Sequence, residues 1–197
     1  YGFERHRTIS LFVPTSTEQS TLAALCQRRD DITQMRTQEK CRLEAPENDH
    51  IKESCQKTIE FFDSQINELN NTIQKIIDES RELQQRQKIL KIVPGIGKKL
   101  SQDFLCLMPE LGYLNRKEVA SLAGVAPHPK ESGKAVGYRR IIGGRSNVRS
   151  KLFTAAMAAA RSKSVLGAFY FKLVESGKKK MVAATVLMRK IIVIANT

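Results

Sequence analysis

Closely spaced cysteines are missing from this sequence. Its four cysteines lie far apart, with no Cys-x-x-Cys pair and no histidine placed to complete a zinc site: Cys26, Cys41, Cys55 and Cys106. That spacing excludes the common zinc-binding motifs, which bring their ligands together through short intervals. We expect all four to be reduced thiols, as in a cytosolic protein.

Long apolar segments are also missing. The longest apolar stretch, at 181–195, is interrupted by Arg189 and Lys190, whereas a membrane-spanning helix needs about 20 predominantly apolar residues. The N-terminus has no basic region followed by an apolar core, which predicts that the chain carries no secretory signal. The first residue is Tyr1 rather than methionine, so we expect the natural chain to begin upstream of it.

Acidic residues are scarce in the second half of the chain. Residues 92–197 hold 5 Asp and Glu against 19 Lys and Arg, whereas residues 1–91 hold 15 against 14. The formal net charge of +13 therefore comes from the C-terminal half. Concentrated positive charge attracts polyphosphates, because each cation that neutralises a phosphate also releases condensed counterions. This distribution favours a nucleic-acid partner; the alternative is a solvated basic surface that serves solubility.

Two long helical patterns occupy the first half. Helix-start residues followed by apolar residues at helical spacing predict a helix at about 17–43, and a second apolar pattern runs from 51 to 90. A Pro-containing segment at 45–49 separates them. We therefore predict two long antiparallel helices that form a stalk over residues 17–91.

The second of these helices has the spacing of a coiled coil. From Ile59 onward its apolar residues alternate in steps of three and four, with polar interruptions at Ser80 and Gln87. Such a seam fits either an intramolecular helical hairpin or the pairing of two protomers. We expect a homodimer or a higher homo-oligomer, while the intramolecular alternative stays open.

The second half of the chain has a different sequence pattern. Short helical patterns alternate with glycine and proline, and alternating strand patterns are almost absent. The predicted helices are about Gly97–Leu107, Asn115–Gly124, Asn147–Ser164, Val165–Ser176 and Lys179–Ile194. The predicted fold is therefore mainly α: a long antiparallel coiled-coil stalk followed, at 92–197, by a small helical domain that contains a helix-hairpin-helix.

A Gly-x-Gly turn opens the helical domain. The segment Val93-Pro94-Gly95-Ile96-Gly97-Lys98-Lys99 follows one helical pattern and precedes another. In a helix-hairpin-helix, glycines let the backbone turn tightly and approach DNA, and the N–H groups of the next helix meet a phosphate. We predict DNA-backbone contacts at Gly95, Gly97, Lys98 and Lys99. The alternative is a simple Pro-Gly turn between packed helices.

A serine lies among glycines and cations farther along the chain. A serine hydroxyl is a poor nucleophile at its normal pKa, and phosphoryl transfer needs cations that stabilise charge on the phosphate oxygens. Ser132 is that serine, and the nearby candidate cations are Lys134, Arg139, Arg140 and Arg145. The alternative is that Ser132 only forms a turn in a basic loop.

Further cations and two other interpretations concern the same region. Arg149 and Lys151 begin an alanine-rich helix and are predicted to contact DNA phosphates.

No Gly-x-x-x-x-Gly-Lys-Ser/Thr pattern exists in the chain, which excludes ATP binding by a P-loop. His128 is a candidate general base near Ser132. A lone loop histidine more often contacts backbone or phosphate, so we assign it no role.

The order of these motifs resembles that of the insertion-sequence 110 family of transposases, the DEDD type regarded as bridge-RNA-guided DNA recombinases. The resemblance lies in IVPGIGKK, SLAGVAPHPKESGK, GYRRIIGGRSNVR, the alanine-rich helix, AFYFKLVESGKKK and VLMRKII. The segment FVPTSTEQSTLAALCQRRDDITQMRTQEKCRL is also similar to that family's connection between its RuvC-like domain and the long helices. The likeness therefore covers nearly the whole chain.

This resemblance implies roles for particular residues. Ser132 corresponds to the family's nucleophilic serine, which attacks a DNA phosphodiester and forms a covalent phosphoserine intermediate. Magnesium is held in the family by four acids of the RuvC-like domain, and Asp30, Asp31 and Asp78 lie on the wrong motifs to replace them. Residues 1–16 correspond to a remnant of that domain and its linker. We therefore expect no metal bound by this chain alone, and no strand cleavage without the missing acids.

Three hypotheses follow. The first is the DNA-binding part of a transposase, with DNA and guide RNA as partners, in the bacterial cytoplasm and on the nucleoid when bound. The second is a non-catalytic helix-hairpin-helix protein that binds nucleic acid. The third is a coiled-coil scaffold whose positive charge is incidental.

Overall fold

The computed structural model describes residues 17–44, 48–128, 131–132, 135–136 and 140–197. The predicted remnant at 1–16 lies outside the described residues. The described part is mainly helical, as predicted. Its helices are α1 (Thr17–Glu44), α2 (Asp49–Glu79), α3 (Arg81–Ile92), α4 (Lys98–Leu107), α5 (Arg116–Leu122), α6 (Ser146–Arg161), α7 (Val165–Glu175) and α8 (Lys180–Ala195).

Helices α1 and α2 form an antiparallel hairpin. Arg36 of α1 pairs with Asp63 of α2, and Arg29 donates to Asn70 Oδ1 at 3.1 Å, so rising numbers on α1 meet falling numbers on α2. The buried faces carry Leu22, Cys26 and Ile32 on α1 and Cys55, Ile59, Ile66, Ile73 and Ile77 on α2. The partner helix of the predicted seam therefore lies in the same chain. Supercoiling of this pair stays a prediction.

The predicted second helix is divided in two. Ser80 has an extended backbone, with φ of −104° and ψ of 115°, and it ends α2 and caps α3. Its hydroxyl accepts the backbone N–H of Leu83 at 3.5 Å. A serine at this position competes for backbone hydrogen bonds, which is why it stops one helix and starts another. The prediction of one helix from 51 to 90 is wrong at this point.

The helices of the second half lie close to their predicted bounds. Helix α6 packs against α4, α7 and α8, and its Ala155, Ala156 and Ala159 are fully buried. Small side chains allow two helix backbones to approach closely. The surrounding core runs without interruption from α1 and α2 into α4, α6 and α8, through Leu22, Ile73, Phe104, Leu152 and Leu187 among others.

A disulfide joins the hairpin to the rest of the chain. Cys26 of α1 and Cys106 of α4 are bonded, with their Cα atoms 6.5 Å apart and 80 residues between them in sequence. The expectation of four reduced thiols is therefore wrong for this pair. Sequence spacing gave no indication of it, because the two cysteines meet only through the packing of α1 against α4. Cys41 is exposed and Cys55 buried, and both are free thiols.

The stretch between α5 and α6, where alternating strand patterns are almost absent from the sequence, contains short strands. They are β1 (Pro127–His128), β2 (Glu131–Ser132), β3 (Ala135–Val136) and β4 (Arg140–Ile141). Strand β1 pairs antiparallel with β4, and β2 pairs antiparallel with β3.

Among the helices of the described ranges, none is long and apolar enough to cross a bilayer.

Candidate nucleic-acid interface

The turn between α3 and α4 spans residues 93–97. The Ile96 N–H donates to the Val93 carbonyl at 3.0 Å, and both of these side chains are buried. Gly97 precedes the first residue of α4, and no side chain within the described part of the chain caps that helix. The first N–H groups of α4 therefore face outward beside Lys98 and Lys99, which are exposed. We call this segment the α3–α4 turn.

The two glycines of this turn have different tasks. Gly95 has a φ of +92°, and a Cβ built on it would lie 2.2 Å from the Ala155 carbonyl oxygen of α6. Gly97 has an ordinary φ of −87°, and a Cβ there would meet nothing within 4 Å. Gly95 is thus required for packing the turn on α6, whereas Gly97 leaves open space in front of the helix end.

A basic groove lies beside the α3–α4 turn. It has a volume of about 380 Å³ and runs between α2, α3 and the start of α4. Its cationic walls are Lys88, Lys91 and Lys98, and Asp78 and three glutamines complete the lining. The sequence analysis did not single out Lys88 or Lys91. Their spacing along α3 places both on one helix face, which was a usable signal.

Lys99 lies in a region of positive potential. Desolvation of its ammonium group lowers its pKa below the ordinary value, and the nearby Arg29 guanidinium lowers it further. The carboxylate of Asp103 opposes this effect only in part. A nearby anion favours the charged form of Lys99 by attraction, opposing the effect of Arg29.

Behind the turn, glutamines form a buried hydrogen-bonded chain. Gln87, which the sequence analysis read as a seam interruption, is buried and exchanges two 3.2 Å amide hydrogen bonds with Gln74. Gln102 of α4 donates to Gln74 Oε1 at 3.0 Å. Lys91 at the groove donates to Gln87 Oε1 at 3.3 Å. We call Gln74, Gln87 and Gln102 the glutamine chain.

A buried ion pair continues from the glutamine chain. The Arg29 side chain is fully buried; its guanidinium pairs with the Asp103 carboxylate and donates to Gln102 Oε1 at 3.4 Å. Lys151 of α6 joins this cluster, with Nζ 2.9 Å from Asp30 Oδ1 and 3.4 Å from Asp103 Oδ2. Lys151, predicted to contact DNA, is therefore engaged by two carboxylates of the protein. The sequence analysis missed Arg29 and Asp103, although Asp103 is one of only five acids in the basic half.

Two glycine motifs meet between α5 and α6. Gly124 and Gly144 have φ of +66° and +68°, and a Cβ on Gly144 would lie 2.3 Å from the Gly124 Cα. Arg149 Nη1 lies 3.4 Å from the Gly124 carbonyl oxygen and 3.1 Å from that of Gly143. The predicted DNA contact Arg149 thus holds this glycine contact together.

Arg145 is also engaged by the protein. Its two terminal nitrogens donate to the two oxygens of Glu110 at 2.9 and 2.6 Å, and Nη1 donates to the Leu107 carbonyl at 2.6 Å. Hydrogen bonds from Arg145 hold the pKa of the Glu110 carboxyl below its ordinary value, against desolvation. This bidentate pair ties the start of α6 to the segment after α4.

The backbone of Ser132 belongs to an antiparallel hairpin. Ser132 pairs with Ala135 and Glu131 with Val136, so Ser132 is the last paired residue before the connection at 133–134. We call β2 and β3 the serine hairpin. Of the nearby candidate cations, Arg140 lies exposed in β4, whereas Lys134 and Arg139 lie outside the described residues.

The acids of the described residues do not fit a magnesium ion. No three histidine, cysteine, aspartate or glutamate side chains there lie close enough together to hold a metal. Asp30 and Asp103 are engaged by Lys151 and Arg29. No step of the chemistry is therefore assigned to a metal held by these residues.

Comparison with known proteins shows a likeness to one transposase family. Residues 87–171, from α3 through most of α7, match the transposase family described as IS116/IS110/IS902. This segment of the chain resembles that family. The matched segment contains the α3–α4 turn, the Gly124–Gly144 contact and the serine hairpin, so the geometry above describes the family segment itself.

Curated relatives extend the likeness beyond that segment. The chain is 28% identical over 189 residues to the pilin gene-inverting proteins of Moraxella lacunata and Moraxella bovis, covering 94% of this chain and 58% of each relative. It is 35% identical over 75 residues to an uncharacterized 44.8 kDa protein of insertion element IS116 from Streptomyces clavuligerus, covering 34% of this chain and 19% of that protein. The chain thus spans little more than half the length of its Moraxella relatives.

Proposed function

We propose that this chain is the DNA-binding, serine-bearing part of a site-specific DNA recombinase. In this proposal the α3–α4 turn grips the sugar-phosphate backbone and the serine hairpin brings Ser132 to a phosphodiester. The observation that carries the proposal is the open, uncapped start of α4 beside exposed lysines, within the segment that matches a transposase family. The names of the Moraxella relatives, which invert a pilin gene, support DNA recombination as the class of reaction.

Binding at the α3–α4 turn follows from three properties. The N-terminus of a helix attracts anions through its unpaired N–H groups and its dipole. Gly97 places no atoms in front of that end, while Lys98 and Lys99 flank it. Desolvation, and to a lesser extent Arg29, lowers the pKa of Lys99, and a bound phosphate would favour its charged form. Such contacts position a DNA duplex without reading its bases.

The chemistry proposed for Ser132 is a phosphoryl transfer. The serine Oγ bonds to phosphorus as its proton leaves, and the bond from phosphorus to one deoxyribose oxygen breaks. That oxygen takes up a proton and departs as a strand-end hydroxyl, while the strand stays attached through a phosphoserine. Attack by the freed hydroxyl of another strand on this ester regenerates the serine, so no net phosphate bond is lost.

The predicted cations divide into two groups by their contacts. Lys98, Lys99 and Arg140 are exposed, and we propose that they bind phosphates. Arg145, Arg149 and Lys151 already donate to protein oxygens, and we propose that they hold the serine hairpin and α6 in position. A role in phosphate binding for this second group stays a prediction.

Several partners belong to the proposal as well. Magnesium, where other acids bind it, would supply charge neutralisation at the phosphate, and we propose that cleavage depends on acids that this chain does not contribute. Guide RNA is a proposed partner on the family resemblance. Pairing of protomers is supported by apolar side chains left exposed on the α1–α2 hairpin, among them Ile51 and Phe61.

A substitution at Gly97 tests the binding step. Gly97→Val fills the open space before α4 and should weaken binding to every duplex sequence, measured by fluorescence anisotropy across a salt series. Thermal unfolding serves as the folding control, since a Cβ at this position meets no protein atom within 4 Å. Lys99→Ala should reduce the slope of log K against log salt by about one. Wild-type affinity in Gly97→Val would refute the role of the turn, and affinity independent of salt would favour the scaffold hypothesis.

A covalent adduct tests the serine. The chain is combined with the upstream acidic domain of a family member, guide RNA and labelled DNA, and the products are separated under denaturing conditions. We expect a protein–DNA adduct that disappears in Ser132→Ala and persists in Ser146→Ala, a serine at the start of α6. An adduct of normal yield in Ser132→Ala would remove Ser132 from the reaction. No adduct in any variant, together with salt-dependent binding, would favour the non-catalytic binding protein.

A further inference from the structure

An apolar groove that none of the motifs explains lies along α8. Its volume is about 660 Å³, within the range of about 300–1,000 Å³ that is usual for ligand sites. One wall is the ladder of β1 and β4, and the other is the N-terminal half of α8. The floor is aliphatic, built from Val125, Ile141, Val182 and Val186. We call it the α8 groove.

Two arginines line this groove, and neither has a partner among the residues that the structure describes. Arg140 of β4 and Arg189 of α8 both line it. Within the residues that the structure describes, neither guanidinium has a hydrogen bond, an ion pair or an aromatic contact. Arg145 and Arg149, in contrast, are held by protein oxygens only a few residues away. Two unpaired guanidinium groups beside an apolar floor favour an occupant that is both anionic and apolar.

The serine hairpin lies between the two wall strands of the groove in the sequence. Strands β1 and β4 form its wall, and β2 and β3 follow directly between them along the chain. Only five positions separate Pro127 in the wall from Ser132. This short connection supports the proposal that a DNA strand held at Ser132 places a neighbouring nucleotide at the groove.

We propose that the α8 groove receives one unstacked nucleobase of the DNA strand held at the serine hairpin, with Arg140 and Arg189 binding the adjoining phosphates. This inference rests on the proposed function. A nucleotide combines the two required properties, since its base has an apolar face and its phosphates are anionic. A second copy of this chain fits the groove less well. The half of the chain that contains the groove has 19 cations against 5 acids, so two such halves repel each other.

The energetics predict which DNA is preferred. Extracting a paired base costs a few kcal/mol, and the cost is smallest for a base that is already unpaired. A duplex with one unpaired base should therefore bind more tightly than the same duplex fully paired. The aliphatic floor supplies contact with a base face without reading its edge, so we expect the preference for an unpaired base to depend little on its identity.

The test compares two short duplexes that differ by one unpaired adenine. Affinity of the chain is measured for each by fluorescence anisotropy, and 2-aminopurine in place of the adenine reports the environment of the base. We expect roughly fivefold or greater preference for the duplex with the unpaired base. Val182→Asp, which puts a carboxylate on the partly exposed floor, should reduce the preference to near one while changing affinity for the paired duplex by less than about twofold.

Matched variants separate the groove from other causes. Ile194→Asp makes the same kind of change on α8 at a residue that does not line the groove, and it should keep the preference. Arg189→Ala should lower the salt slope for the unpaired-base duplex by about one and leave that of the paired duplex unchanged, whereas Lys180→Ala should lower both or neither. If Val182→Asp fails to fold, the salt slopes of Arg189→Ala with the two duplexes test the inference on their own.

Three outcomes would overturn the inference. The first is equal wild-type affinity for both duplexes, and the second is a preference that survives both groove variants. The third is concentration-dependent dimerisation that Val182→Asp abolishes, because the occupant would then be a second copy. Failure of the proposed function looks different: neither duplex would bind in a salt-dependent way, and Gly97→Val would change nothing.

Discussion

Removing the carboxylate of Asp103 should destabilise the chain more than any surface substitution. Asp103→Asn leaves the fully buried Arg29 guanidinium with only neutral amides, those of Asn70 and Gln102. Losing one partner of a buried ion pair costs about 3–5 kcal/mol, because the remaining charge stays desolvated without compensation. Lys151 also loses its contact with the Asp103 carboxylate, but it keeps one carboxylate partner, because Asp30 Oδ1 lies 2.9 Å from its Nζ.

This cost is measurable as a change in unfolding. For a chain of this size, about 1 kcal/mol lowers the Tm by roughly 2–4 °C, so Asp103→Asn should lower it by on the order of 10 °C. Urea unfolding followed by circular dichroism gives the free energy directly. The double variant Arg29→Met with Asp103→Leu should recover most of the loss, because a buried pair can be replaced by apolar residues of similar volume at little cost.

Two results would refute this reasoning. A loss below about 1 kcal/mol in Asp103→Asn would mean that Arg29 is not desolvated in solution, because exposed pairs contribute no more than that. A double variant less stable than either single variant would mean that the two residues are not coupled through their charges.

Further predictions concern the contacts around α6. Gly144→Ala should cost more stability than Gly143→Ala: both glycines have positive φ, but only a Cβ at Gly144 strikes backbone, 2.3 Å from Gly124, and equal losses in urea unfolding would refute the close packing. Glu110→Gln should destabilise the chain at neutral pH. Because Arg145 depresses the pKa of Glu110, the stability that this carboxylate contributes is present above about pH 4.5 and is lost as the pH falls through the lower folded pKa. The difference between wild type and Glu110→Gln should therefore narrow in acid, and a difference constant with pH would contradict the assignment.

The helices of this fold could be predicted because local physics determines them. Apolar residues at helical spacing, with glycine and proline between segments, gave bounds within a few residues for α1 and for the helices from α4 to α8. The break at Ser80 could not be placed in the same way. The apolar period continues through Ser80, so only its capping hydrogen bond distinguishes a break from a polar position in one helix.

The contacts of individual polar residues could not be predicted from the sequence as well as the helices. Gly95 and Gly97 look equivalent in sequence, yet one packs against the Ala155 carbonyl and the other faces open space. Lys151 looks like another cation on a basic helix, and its two carboxylate partners come from α1 and α4. Partners such as these lie 121 and 48 positions away, and no local pattern encodes a contact made by the packing of distant helices.

The glutamine chain constrains how this protein can change over time. Each of its amides both gives and accepts hydrogen bonds, so replacing Gln74 alone would strand polar atoms of Gln87 and Gln102 inside the protein. Such a loss is tolerated poorly, whereas exchanging all three for aliphatic side chains removes the donors and acceptors that they offer one another, and Arg29 keeps Asn70 and Asp103 as partners. Homologous chains should therefore keep the trio or lose it as a set, and positions 74, 87 and 102 should vary in concert.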